Sequence, residues 1–214
     1  MGGPPLFDSP LNIVRPRFPL DEIIFERFKA ALASGQVTNN SPWVLEFEAQ
    51  LSQYLDVPTL NFCNGQAALL AMMKAADIEG KEVIVPSFTF SATPHAVRWC
   101  GGIPVFADIK DDGSLTIDPE DVERKITSNT AAILGVCRSG RSCDSEALAE
   151  IGKRHGIKVY FDSAPAFGTK VEGKLVGGFG DAQIFSFHAT KAFSTMEGGC
   201  VCSNDQAFME RIKN

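Results

Sequence analysis

The sequence predicts an α/β fold in which helices cover both faces of a mostly parallel sheet, giving three layers. Two observations support this prediction. From residue 58 onward, short apolar runs alternate regularly with segments of helical periodicity. Each strand–helix–strand succession joins parallel strands through a right-handed crossover, and strands covered on both faces read as short apolar runs.

Length and composition agree with one large domain. The chain has 214 residues, of which 44% are hydrophobic and 21% charged, with a formal charge of −6. An acidic chain without a Lys/Arg run argues against nucleic-acid or anionic-membrane partners, and no apolar stretch reaches the ~18 residues of a membrane span. The N-terminus lacks the pattern of a signal peptide, so we expect a cytoplasmic protein whose six cysteines are thiols. They contain no CxxC pair, and we expect no metal site.

Residues 1–42 are predicted to form an N-terminal arm, a helix and a loop, and residues 43–214 the large domain. Prolines favour an extended arm over a surface; they are Pro4, Pro5, Pro10, Pro16 and Pro19. An amphipathic helix follows from Ile23 to Leu32 and ends at Gly35, a suitable C-cap. After a polar loop, helical periodicity resumes at Trp43.

The remaining elements follow from apolar runs, periodicity and capping signals. Strands are predicted at Thr59–Phe62, 82–85, 104–106, 131–136, 158–161 and 183–186. Helices are predicted at 66–76, 93–100, 119–126, Ser145–His155 and Gln206–Lys213. Asp118 precedes a first-turn proline, and Asp144 caps a helix whose end is marked by Gly156.

Ligands of such sheets bind outside the carboxyl ends of the strands, so the residues that follow each apolar run are the candidates. Asn64-Gly65-Gln66 lies between a strand and a helix, where glycine permits close approach and the helix start favours an anion such as phosphate. A tight turn would require the glycine equally. The GxGxxG and GxxxxGK[ST] fingerprints are absent. The GGFG segment at 177–180 precedes a strand and is predicted to be a turn.

Asp162 and Lys191 also follow apolar runs. Singly, Asp162 is equally explained as a cap or turn residue, and Lys191 as a solvated charge. Pyridoxal 5'-phosphate (PLP) requires a lysine amine, an acid beside its pyridine nitrogen and an anion pocket. Asp162, Lys191, Ser186 and the Asn64-Gly65-Gln66 turn supply these groups at one sheet edge, and Phe88 or Phe90 offers an aromatic face. The residues therefore point to PLP as the cofactor.

Four sequence motifs follow one another along the chain. They are SGQVTNNSP at 34–42, EVIVPSFTF at 82–90, SFHATK at 186–191 and EGG at 197–199. In this order the sequence resembles the DegT/DnrJ/EryC1/StrS sugar aminotransferases, which are fold-type-I PLP enzymes. The resemblance covers nearly the whole chain. It implies the large domain of an aspartate aminotransferase-like fold, incomplete at its C-terminus and with the small C-terminal domain absent from this sequence.

The resemblance also implies roles for residues. Lys191 would bond covalently to the cofactor and act as the base of the proton shift, and Asp162 would pair with the pyridine nitrogen. The other implied cofactor residues are Ser186, Gly65 and Gln66 at the phosphate and Phe90 on the ring. His188, in the lysine motif, is expected to support the loop.

The reaction implied is transfer of an amino group from an amino acid, commonly glutamate, to a keto sugar carried on a nucleotide diphosphate, in a homodimer. Some relatives that dehydrate the sugar have histidine in place of the lysine, so Lys191 favours amino transfer.

Three departures from the family pattern bear on the site. Pro165 replaces a Gln or His that would donate a hydrogen bond to the ring oxygen, so this hydrogen bond is either missing or supplied by Ser163. Gln66 stands where Thr or Ser is common, and the segment from Cys137 to Gly140 replaces His-x-Tyr-Gly. Two alternatives stay open. One is a non-catalytic PLP-fold fragment that acts as a binding or partner subunit. The other is a nicotinamide-dependent oxidoreductase, although this sequence lacks the glycine fingerprint of that class.

Overall fold

The computed structural model describes residues 3–4, 6–12, 14, 16, 18 and 22–213. Its helices are α1 Glu22–Ser34, α2 Pro42–Leu55, α3 Gly65–Ala75, α4 Ala92–Trp99, α5 Pro119–Lys125, α6 Ser145–His155 and α7 Gln206–Lys213. Its strands are β1 Thr59–Phe62, β2 Glu82–Pro86, β3 Ile103–Ala107, β4 Thr130–Val136, β5 Lys158–Asp162, β6 Lys170–Val171, β7 Lys174–Leu175, β8 Ala182–Ser186 and β9 Gly199–Cys202. A short 3-10 turn spans Arg138–Gly140.

Within the described residues, the central sheet has seven strands in the order β1-β9-β8-β5-β4-β2-β3. From β3 to β8 all neighbours are parallel, whereas β9 is antiparallel to both β8 and β1. The prediction of a mostly parallel sheet is therefore confirmed. Strand β9 and the separate hairpin of β6 and β7 were not predicted.

Two apolar cores lie on opposite faces of the sheet and establish the three layers. One core joins the sheet to α2, α5 and α6, and the other joins it to α3, α4 and α7. Successive residues of β5 show the alternation: Val159 and Phe161 belong to the first core, Tyr160 to the second. This is the period of two expected of a strand buried on both faces.

Local signals explain where the helices begin and end. Asp144 accepts a hydrogen bond from the backbone N–H of Ala147 at 3.1 Å, and Gly156 closes α6 in the left-handed conformation. Asp118 caps α5 before Pro119. Gly35, with φ 67°, follows α1 as expected. The predicted helices that follow Pro58 lie within one residue of the observed bounds.

The N-terminal prediction is covered only in part by the described residues. Pro4, Pro10 and Pro16 are exposed and belong to no helix or strand, whereas Pro5 and Pro19 lie outside the described residues. No residue of α1 is buried. Within the described ranges, no helix has both the length and the apolar character needed to cross a membrane.

Candidate functional site

A cavity of about 650 Å³ opens at the carboxyl ends of the parallel strands, where the sequence predicted a site. It brings together all but one of the predicted cofactor residues. The predicted residues that line it are Gly65, Gln66, Phe90, Asp162, Ser186 and Lys191. A cavity of this size is typical of a small-molecule or cofactor site.

The N-terminus of α3 forms one end of this cavity. The side chain of Asn64 accepts a hydrogen bond from the N–H of Ala67 at 2.8 Å, and the other N–H groups of the first turn have no acceptor within the helix. A Cβ on Gly65 would stand 2.7 Å from the Cβ of Ser186, so glycine is required for this close approach. The buried Nε2 of Gln66 has no hydrogen-bond partner among the residues that the structure describes. This end of the cavity therefore offers donors to an anion.

Asp162 ends β5 and is buried on the α4 side of the sheet. Its Oδ2 accepts from the hydroxyl of Thr93 at 2.8 Å, and its Oδ1 accepts from the N–H of Ala164 at 3.2 Å. Burial raises the pKa of Asp162, whereas these hydrogen bonds and the charge of Lys191 act to lower it. The Thr93 hydroxyl donates its single proton to Asp162, so Thr89, 2.8 Å away, donates to Thr93.

Lys191 lies in the loop between β8 and β9 and is half-buried. The loop is closed by backbone bonds, among them Lys191 N–H to His188 O at 2.9 Å. In the described part of the chain, no carboxylate lies within 4.0 Å of the Lys191 amine. Its amine therefore faces the cavity without a structural ion pair.

His188 lines the same cavity, and its contacts stay within the loop. Its Nδ1 accepts from the N–H of Thr190 at 3.2 Å, so the proton of the neutral ring is on Nε2, which lies 3.6 Å from Oε1 of Glu197. These bonds agree with the expectation that His188 supports the loop.

Ser163 is the predicted residue that does not line the cavity. It is fully buried, and its hydroxyl lies 3.2 Å from Oε1 of Gln183 and 3.3 Å from Sγ of Cys137. It therefore cannot supply the donor that Pro165 lacks, although Pro165 itself does line the cavity. Ser163 thus lies outside the cavity that the other candidate cofactor residues share.

Two residues that contribute to the site were not assigned a role from the sequence. Thr93 is fully buried beside Asp162, and Arg138 lines the cavity with its guanidinium 4.5 Å from the ring centre of Phe88. Two threonines four residues apart, Thr89 shortly before α4 and Thr93 within it, are the sequence signal that could have pointed to Thr93. Arg138 follows β4 directly, which is the position that the strand-end rule marks.

The fold and this cavity define an α/β transferase domain of the PLP-dependent class. Residues 19–214 match the DegT/DnrJ/EryC1/StrS aminotransferase family, and the chain belongs to that family. PLP is the cofactor of the family, in agreement with the sequence-based prediction.

Similar proteins agree with this assignment. The dTDP-4-amino-4,6-dideoxy-D-glucose transaminase of Shigella dysenteriae is 37% identical over 206 residues, which are 96% of this chain and 56% of that protein. The crystal structure of DesI with its TDP-sugar product has 42% identity and a TM-score of 0.92, covering 99% of this chain and 54% of DesI. The PLP form of a proposed sugar aminotransferase from Streptococcus pneumoniae has 28% identity and a TM-score of 0.87, covering 95% and 57%. The chain spans about half the length of the curated relatives it matches.

Proposed function

We propose that this chain carries the cofactor site of a PLP-dependent aminotransferase that moves an amino group from glutamate to a keto sugar carried on a nucleotide diphosphate. One observation carries the proposal: the amine of Lys191 and the buried carboxylate of Asp162 face one cavity, beside the N-terminus of α3. The named activities of the relatives support the substrate class.

The residues fit the phosphate of PLP at the α3 end of the cavity. Gly65 leaves room between the helix start and Ser186 that any Cβ would fill. The unpartnered Nε2 of Gln66 and the N–H groups of the first turn would donate to the phosphate, and the helix dipole favours negative charge there. The hydroxyl of Ser186 would add a further donor.

The residues also fit the ring and the reactive carbon. Bound PLP supplies an electron sink for the carbon next to the transferred nitrogen. Asp162, held by Thr93, would keep a proton on the pyridine nitrogen, and Phe90 would stack on the ring. Lys191 would hold the cofactor covalently through its aldehyde carbon, with release of water. Its amine, freed when the substrate amine replaces it, would carry the proton between the amine-bearing carbon of the substrate and that aldehyde carbon.

Covalent labelling tests the proposed role of Lys191. Purified protein incubated with PLP should gain a visible absorbance band, and borohydride should fix one cofactor on the peptide that contains residue 191. We expect Lys191→Ala to lose both signals, and Lys174→Ala, an exposed lysine of β7, to retain them. A reducible band of unchanged size in Lys191→Ala would contradict the proposal.

A half-reaction tests the donor without the sugar. PLP-loaded protein mixed with glutamate should lose its band and release 2-oxoglutarate, and Lys191→Ala should release no 2-oxoglutarate. Aspartate and alanine, tested in parallel, establish whether glutamate is preferred.

A non-catalytic PLP-binding protein is the second candidate, and the cavity wall favours it at one point. Pro165 has no side-chain donor for the ring oxygen, and Ser163 is turned away. This candidate predicts a reducible band that no amino acid discharges, which the half-reaction distinguishes from the first.

We also propose a cytoplasmic homodimer, as the family resemblance implies. All six cysteines are free thiols, which agrees with a reducing compartment. Phe25 and Phe28 of α1 are 54% and 64% exposed and would be covered by a second copy. Light scattering of the purified chain should give twice the mass of the chain, and a monomeric mass would contradict the dimer.

A further inference from the structure

Arg138 stands in the wall of the cavity, directly after β4. Its guanidinium lies 4.5 Å from the ring centre of Phe88, so the aromatic face orients it. Across the described ranges no carboxylate lies within 4.0 Å of this side chain, in contrast to Arg124 and Arg154, which form ion pairs. A half-buried cation without a counterion thus borders the site.

The turn that carries Arg138 is fixed by hydrogen bonds. The N–H of Arg141 donates to the carbonyl of Arg138 at 2.8 Å, and the hydroxyl of Thr169 donates to the carbonyl of Gly140 at 2.8 Å. Ser139 and Gly140 have φ values of 49° and 82°, a left-handed pair that reverses the chain. The backbone at Arg138 is therefore fixed before any ligand arrives, and the contact with Phe88 orients the guanidinium, which together lower the entropy lost on binding.

The position of Arg138 separates it from the proposed phosphate site. Strand β5 lies between β4, which Arg138 follows, and β8, which ends at Ser186. Two interstrand spacings of about 4.8 Å place the two strand ends about 10 Å apart. The guanidinium of Arg138 contacts Phe88, which follows β2 on the side of β4 away from β5 and β8, so an anion at Arg138 is different from a phosphate bound at Gly65 and Ser186.

We propose that Arg138 is a specificity-determining residue that binds an oxyanion of a substrate. The inference rests on the proposed function, whose two substrates both carry such groups: the carboxylates of the amino donor and the diphosphate of the sugar nucleotide. The planar guanidinium presents two parallel donors, which match either group. Lysine at this position would keep the charge without the paired geometry.

Equilibrium binding tests the inference without turnover. Calorimetry would measure 2-oxoglutarate and dTDP on the PLP-loaded protein and on the cofactor-free protein. We expect Arg138→Gln to weaken one of the two ligands about tenfold or more, the range for a hydrogen bond to a charged group, and Arg138→Lys to weaken it less. Arg141→Gln, an exposed arginine three residues away, is the matched control and should bind as the wild type does.

Each outcome decides the inference. Weaker binding of 2-oxoglutarate alone assigns Arg138 to the amino donor, and weaker binding of dTDP alone assigns it to the sugar nucleotide. If Arg138→Gln, with an unchanged melting temperature, binds both ligands like the wild type, or if the wild type binds neither, the inference is overturned. A reducible PLP band in that same sample shows that the proposed cofactor site stands independently. If the PLP band is absent while anion binding is intact, the anion site at Arg138 stands and the proposed cofactor site does not.

Discussion

The hydrogen bond from Thr93 to Asp162 gives the sharpest test of the site. Thr93→Val keeps the shape of a fully buried side chain and removes the hydroxyl that lies 2.8 Å from Oδ2 of Asp162. A hydrogen bond to a charged group contributes about 1.5–3 kcal/mol. For a chain of this size that corresponds to a fall in melting temperature of roughly 3–12 °C.

The pH dependence identifies the acceptor as a carboxylate. Burial raises the pKa of Asp162 in the folded state, so the folded protein binds more protons than the unfolded chain between the two pKa values. Stability therefore falls as pH rises through that interval. Loss of the Thr93 donor raises the folded-state pKa further, so the deficit of Thr93→Val should grow from pH 5 to pH 8.

Urea unfolding of the cofactor-free protein, followed by tryptophan fluorescence, measures the free-energy cost of Thr93→Val, and repeating it at pH 5 and pH 8 measures the pH dependence of that cost. Thr116→Val is the matched control because Thr116 is 3% exposed and its hydroxyl lies 3.1 Å from the neutral hydroxyl of Ser114. We expect the control to cost about 0.5–1.5 kcal/mol without pH dependence. Equal costs in the two variants, or a Thr93→Val cost that is the same at both pH values, would refute the reasoning.

Three further predictions concern the cavity and the core. Gly65→Ala places a Cβ 2.7 Å from the side chain of Ser186 in β8, so it should lower the stability in thermal unfolding by about 1–3 kcal/mol and weaken PLP binding in absorbance titration. Gly178→Ala, whose Cβ would lie 3.7 Å from the nearest atom, should do neither. Asp162→Asn removes a buried charge, so the cofactor-free variant should melt at a higher temperature than the wild type at pH 8. The difference in melting temperature should shrink as pH falls from the folded-state pKa of Asp162 towards its unfolded-state pKa. An equal difference at pH 4.5 would argue against this reasoning. Burial raises the pKa of the Cys202 thiol, so Ellman's reagent at pH 8 should label exposed Cys63 quickly and Cys202 only after denaturation; comparable rates in the native protein would contradict the burial.

The fold was predictable wherever a local signal coincided with tertiary packing. Helix α6 was predicted at its observed bounds because Asp144 and Gly156 mark both ends. Strand β9 was missed because its four residues, GCVC, begin within the EGG motif and are too few to show a period. Its antiparallel pairing with β8 and β1 depends on contacts distant in sequence, which no local pattern reports.

The strand-end rule located the cavity from the sequence, but it does not report which face of the sheet a side chain occupies, and Ser163 lies outside the cavity. Asp162 and Ser163 are adjacent at the end of β5, so their side chains point to opposite faces of the sheet. Asp162 reaches Thr93 of α4, and Ser163 reaches Gln183 and Cys137 on the other side. Alternation could have shown from the sequence that both cannot face one ligand. The partner of Asp162, 69 residues away in the chain, required the structure.

Three energetically costly groups of the described residues lie in the cavity. Asp162 holds a carboxylate whose burial opposes its charge, Gln66 buries an amide donor without a partner, and Arg138 has no counterion among the described residues. Each is costly in a protein interior, and such costs are expected at functional sites, where a ligand relieves them. A cationic ring nitrogen would satisfy Asp162, a phosphate would satisfy Gln66, and a substrate oxyanion would satisfy Arg138. Three groups of different charge thus require three complementary groups, and the proposed PLP-dependent transferase with an anionic substrate would supply all of them.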